Sequence, residues 1–117
     1  REERKEGAMG LASRTCEPCK GNVSPLSREE AEGMLREIPG WEMEEGATKI
    51  RRTFRFRDFA QAMAFARKVG EVAEGEGHHP DLTVGWGYCG VVFQTHKIRA
   101  LHRNDFIMAA KVNALMP

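Results

Sequence analysis

The stretch from Asp58 to Gly77 constrains the fold more than any other part of the chain. Behind Asp58, a residue suited to capping a helix, the apolar side chains Phe59, Ala62, Met63, Ala66, Val69 and Val72 recur at three- and four-residue intervals. That spacing predicts one long amphipathic helix. Gly75-Glu76-Gly77 ends it and delivers the chain directly into His78-His79-Pro80. Whatever lies on either side must be joined through this helix. On its N-terminal side, Trp41 to Glu45 reads as a strand, Glu44 to Ala47 as a turn, and Ile50 onward as a second strand in which Phe54 and Phe56 alternate with Arg55 and Arg57. On its C-terminal side, Leu82 to Trp86 and Cys89 to Thr95 form another pair, with Gly85, Gly87 and Gly90 marking turn or bulge positions.

Two shorter helices flank these hairpins. Ser27 followed by Glu30 makes a capping box ahead of Ala31, Met34, Leu35 and Ile38, and Pro39-Gly40 stops the run. The last helix spans about Arg103 to Leu115, with Asp105 in its first turn and Phe106, Ile107, Ala109, Ala110, Val112 and Leu115 as its apolar content. The order α-β-β-α-β-β-α predicts a two-layer α+β domain, a four-stranded antiparallel sheet with three helices on one face. Residues 1–22, charged at the start and poor in apolar residues, are expected to form a disordered N-terminal tail, and residues 23–117 the folded domain.

At 117 residues one core is enough to fold without disulfides or a structural metal. A net charge of +1 gives no general attraction to nucleic acid or to anionic membranes, and no apolar run approaches a membrane span. The expected compartment is the cytoplasm. Cys16, Cys19 and Cys89 are too few for a disulfide scaffold. The Cys16-x-x-Cys19 pair supplies half of a tetrahedral zinc site, so unreacted thiols, a zinc shared between subunits and redox use all stay open. Arg51, Arg52, Arg55 and Arg57 read as one exposed basic side of the second strand, a solvated face or a contact for an anion.

All four histidines, His78, His79, His96 and His102, fall within 25 residues. Imidazole titrates near neutrality and can both give and take protons at working pH. Glu74 lies one helical turn before His78, and Asp105 is available to orient a ring or tune its basicity. Pro80 restricts His79 to extended backbone. If the end of the last strand meets the exit of the long helix, three imidazoles share a cleft with Asp105, an acid-base site without a nucleophile. Adjacent histidines on extended backbone point to opposite sides, which is poor for joint chelation, so no metal is expected. No P-loop, GxGxxG, GxSxG or HExxH motif occurs.

The run Glu74-x-x-x-His78-His79-Pro80, then Trp86, His96 and Asp105 resembles the signature of the pterin-4a-carbinolamine dehydratase family. The Gly40-Trp41 pair, the Cys16-x-x-Cys19 segment with Ser24-Pro25-Leu26, and Asp105-Phe106 leading to Ala109-Ala110-Lys111 are similar to bacterial members. The resemblance implies a four-stranded antiparallel sheet with three helices, assembled as a homodimer or homotetramer. It implies removal of water from a 4a-hydroxytetrahydropterin to give quinonoid dihydropterin, without cofactor, in support of an aromatic amino acid hydroxylase. Carried over, His78 and His96 are the acid and base and His79 binds and orients the pterin. Gly77 and Thr95 contact the heterocycle, and Glu74, Asp105 and Trp86 stand behind the histidines, Trp86 with a core role as its alternative. His102 stands where family members usually place Ser or Thr, and it can still cap the last helix. Alternatives are a same-fold pterin-binding protein of another pterin or molybdopterin pathway, and a protein-interaction role as a transcriptional cofactor.

Overall fold

The computed structural model describes residues 10–16, 24–44 and 46–116. Helix α1 (Arg28–Leu35) precedes strands β1 (Glu42–Glu44) and β2 (Lys49–Arg55). Helix α2 (Phe59–Glu76) leads to β3 (Asp81–Gly85) and β4 (Tyr88–Phe93), and α3 (Arg103–Asn113) closes the domain. The strands form one antiparallel sheet in the order β1-β2-β4-β3. This is the α+β arrangement that the sequence predicts.

Strand period decides which face is covered. Ile50 pairs with Phe93 and Phe54 with Cys89, and these four side chains, with Val91, are buried under the helices. The residues between them, Arg51, Thr53 and Arg55 on β2, are exposed on the open face. Arg52 departs from the expectation of a continuous basic side. Period two puts it on the covered face with Ile50 and Phe54, where its guanidinium lies 4.3 Å over the Phe54 ring and donates to Pro39 O and to Asn113 Oδ1. Asn113 Oδ1 also accepts from Trp41 Nε1, so the end of α3 is tied to the β1 side of the sheet.

The helix boundaries follow local chemistry. Ser27 and Glu30 form the reciprocal capping box, and the Asp58 side chain accepts from Gln61 N. Gly77 ends α2 at φ 69°, with its N–H on Glu74 O and the His78 N–H on Ala73 O. These two bonds form a Schellman turn, which needs left-handed backbone and therefore favours glycine. His102 caps α3 through Nδ1, which accepts from Asn104 N at 3.0 Å, while Asp105 Oδ2 accepts from His102 N at 2.9 Å.

Part of the stretch expected to be a tail is folded. Residues 10–13 form a helical turn, Leu11 enters the core, Lys111 donates to Ala12 O, and Cys16 N donates to Glu76 Oε1. This segment lies against α3, whose residues 104 to 109 are all buried, so that helix has no solvent face in its first half. Cys19 lies outside the described residues, and so does the question of its partnership with Cys16.

Candidate active site

The ladder register gathers the histidines. Asp81 at the start of β3 pairs with Val92 near the end of β4, so the chain just before β3 and the chain just after β4 leave the sheet at the same end. The first carries Gly77, His78 and His79, and the second Thr95 and His96. These residues, with Lys97, line one cavity of about 340 Å³, a size suited to a small molecule. Of similar size is a cavity of about 330 Å³ on the open sheet face, among Arg51, Thr53, Arg55, Thr83 and Tyr88. It contains none of the acid-base set, so chemistry rather than volume distinguishes the two.

His78 is the most constrained of the three. Its side chain is only 11% exposed, and its ring stacks on Phe93 with 6.1 Å between centroids. Nε2 lies 2.7 Å from Asp105 Oδ1. An ionised carboxylate can only accept, so against an ionised Asp105 the Nε2 carries the proton, and in the neutral form of the ring Nδ1 keeps the lone pair. Asp105 is fully buried, and its other oxygen accepts from Thr95 Oγ1 at 2.8 Å and from His102 N. Thr95 therefore adds a second role to its place in the cavity lining: it helps hold the carboxylate that orients His78.

His79 sits differently. Its Nε2 is 2.8 Å from Glu74 Oε1, but both side chains are largely exposed, so the pair orients the ring more than it stabilises the fold. His96 is exposed, and no described residue hydrogen-bonds its ring. Among the described residues no group of three or more His, Cys, Asp or Glu is arranged to hold a metal ion.

Two features of the surroundings escaped the sequence. Trp86 does not join the site: it occupies the β3–β4 tip with 73% of its surface exposed, at the end of the sheet opposite the histidines. The same observation removes its core alternative. Cys16, by contrast, lies behind the site, with Sγ 3.9 Å from Asn104 O. Burial pushes its thiol up to about 12, with the Glu76 carboxylate adding to the effect, so it stays protonated and is a poor nucleophile at neutral pH. Burial also raises the Cys89 thiol. Only the fold of the N-terminal segment makes Cys16 a neighbour of α3, and no local pattern announces that contact.

The fold and the cavity define a class: a small α+β protein with a histidine-lined cleft, in which one imidazole is held by a buried carboxylate. A profile of the family Pterin 4 alpha carbinolamine dehydratase matches residues 24–115, and the chain belongs to that family. A Methylococcus capsulatus protein provisionally named pterin-4-alpha-carbinolamine dehydratase is 59% identical over 108 residues, covering 92% of this chain and 95% of the relative. A Halorhodospira halophila protein with the same provisional name is 52% identical over 107 residues, covering 92% and 98%. The crystal structure of a transcriptional coactivator/pterin dehydratase from Brucella melitensis superposes with a TM-score of 0.73 at 32% identity, covering 78% of this chain and 97% of that one. A pterin dehydratase-like protein described as a RuBisCO assembly factor of the alpha-carboxysome shares the fold, with a TM-score of 0.56 at 23% identity over 65% of this chain and 91% of that one. Membership supports pterin carbinolamine dehydratase activity. Among the described residues no helix is long and apolar enough to cross a membrane.

Proposed function

We propose that the chain dehydrates a 4a-hydroxytetrahydropterin by histidine general acid-base catalysis. The observation that carries this reading is the His78–Asp105 pair, buried at the wall of a cavity that also holds His79 and His96. The C4a–O bond breaks with its electrons on oxygen, which takes a proton from one imidazolium and departs as water. The adjacent ring nitrogen forms the new C=N bond and gives its proton to the other imidazole. The product is the quinonoid dihydropterin, and no net oxidation or reduction occurs. His78, with its lone pair on Nδ1, is the base, exposed His96 is the acid, and His79 orients the ring. Gly77 and Thr95 contact the pterin beside them. Proton exchange with solvent restores both imidazoles, so the cycle calls for no cofactor.

In this reading the protein works in the cytoplasm, recycling tetrahydropterin for an aromatic amino acid hydroxylase. We infer a homodimer or homotetramer, a reading supported by the family resemblance and by Phe59 and Met63, large apolar side chains left about half exposed along α2.

The test is to generate 4a-hydroxytetrahydropterin with a hydroxylase and follow its loss by absorbance at neutral pH. Wild type should accelerate the decay, and His79→Ala and His96→Ala should each remove most of that acceleration. A folded wild type that leaves the decay unchanged would contradict the proposal.

A further inference from the structure

His102 does not line the cavity, yet it helps to hold the carboxylate that holds His78. Asp105 takes three donors, His78 Nε2 on Oδ1 at 2.7 Å, and Thr95 Oγ1 and the His102 backbone N–H on Oδ2 at 2.8 and 2.9 Å. The third is a backbone group, so its aim depends on the conformation of His102. That conformation is extended, with φ −131° and ψ 162°. Two bonds fix it: the carbonyl accepts from Asp105 N at 2.9 Å, and ring Nδ1 accepts from Asn104 N at 3.0 Å. The ring is therefore one of the supports under the geometry of Asp105.

That support has a chemical condition. A backbone N–H only donates, so Nδ1 must carry a lone pair and the capping imidazole must be neutral, with its proton on Nε2. Protonation removes the acceptor, sets one N–H against another, and puts a cation at the positive end of the α3 dipole. The surroundings do not favour that cation. Among the described residues the ring makes no ion pair. Asp105 is taken up by its three donors, and Glu76 by Cys16 N and Lys111. Cys16, against Asn104 O, stays a protonated thiol. Lys97 and Arg99 in the preceding turn and Arg103 at the start of α3 are cationic, and His78 titrates across Asp105. Residues 24–27, bonded to the chain through Leu26 N and Leu101 O, carry no charged side chain.

We propose that His102 is a positioning residue: its neutral ring, by capping α3, keeps Asp105 aimed at His78, and its protonation releases that aim. Acid then weakens the site by a second route besides protonating the catalytic base. This rests on the pterin-dehydratase reading above and adds a regulation of that same site. Serine makes the same cap with a hydroxyl that does not titrate in the histidine range. Removing a helix N-cap shifts the local equilibrium by about threefold to thirtyfold, which sets the size of the effect.

Wild type, His102→Ser and His102→Ala are compared from about pH 5 to pH 8 in two readouts. One is kcat and KM for dehydration of 4a-hydroxytetrahydropterin, the other the proton NMR signal of the His78 Nε2–H held against Asp105. At the alkaline end His102→Ser should match wild type, while His102→Ala should lose about threefold to thirtyfold in kcat with KM little changed. Toward the acid end the wild-type kcat should fall below that of His102→Ser by up to the same factor. Its Nε2–H signal should shift or broaden where that of His102→Ser stays sharp. Identical acid limbs and signals in wild type and His102→Ser, or His102→Ser as impaired as His102→Ala at the alkaline end, would overturn the assignment. If His102→Ala does not fold, the comparison of wild type with His102→Ser decides alone. A wild type that dehydrates at no pH but shows the cap-dependent signal keeps the positioning of His78 and removes the dehydratase reading, whereas normal dehydration without that signal removes only the role of His102.

Discussion

The two ends of the sheet carry residues of the same sequence signature and use them in opposite ways. At one end, segments before β3 and after β4 converge, and the His78 ring is enclosed between Phe93 and the buried Asp105. At the other end, Gly87 at φ 83° turns the β3–β4 hairpin and Trp86 stands in solvent. The five residues of β3, at ~3.3 Å each, put roughly 16 Å between the two. Membership in a motif therefore does not establish membership in a site. Within one chain the register decides, because an antiparallel pair joins the start of one strand to the end of its neighbour and sends the connecting tip away.

Substitutions at the two ends should separate this account from one in which the whole signature acts together. The largest effect belongs to His78→Gln. The amide can still donate to Asp105 but cannot exchange a proton, so kcat/KM for dehydration should fall by about 10²–10⁴-fold with the circular dichroism spectrum unchanged. Next is Gly77→Ala, which forces a side chain into left-handed backbone at the exit of α2. We expect a loss of about 1–2 kcal/mol in urea unfolding, with activity falling too because the same turn aims His78.

A smaller effect concerns Cys16 behind the site. Its folded-state value of about 12 lies above the ordinary thiol value of 9.0, so the folded protein holds this proton more tightly than the unfolded chain. Its contribution to stability is complete below pH 9 and is lost as pH rises toward 12. Cys16→Ala should therefore flatten part of the alkaline decline in Tm relative to wild type, and Cys89, raised in the same direction, should account for some of the remainder. The smallest effect is expected from Trp86→Ala, with stability changed by less than about 0.5 kcal/mol and dehydration little affected. A large loss of activity in that variant would break the contrast and bring the hairpin tip to the site of a neighbouring copy.

The sequence displayed the elements more clearly than their meeting. Ser27 and Asp58 stand where their caps form, and the alternation around Phe54 assigns the covered face, because these signals are local and each has a period. That same period, followed strictly, separates Arg52 from Arg51 and Arg55, and reading all four arginines as one exposed side overlooked it. The convergence of His78 with His96 depends on a register between β3 and β4 that no residue announces by itself. Residues 10–16 were harder still. Leu11 alone in a polar stretch carries no periodic signal, and its burial arises because the segment packs along α3.

The account's central claim is that Asp105 acts by holding His78, and Asp105→Asn examines it most directly. Dehydration of 4a-hydroxytetrahydropterin should be followed across pH 5 to 9 for wild type and the variant, with near-ultraviolet circular dichroism confirming a native core. The account predicts a fall of about 10²-fold or more in kcat/KM together with a displaced pH profile, because the asparagine no longer fixes the proton on Nε2 of His78. A folded variant with the wild-type rate and profile would contradict it.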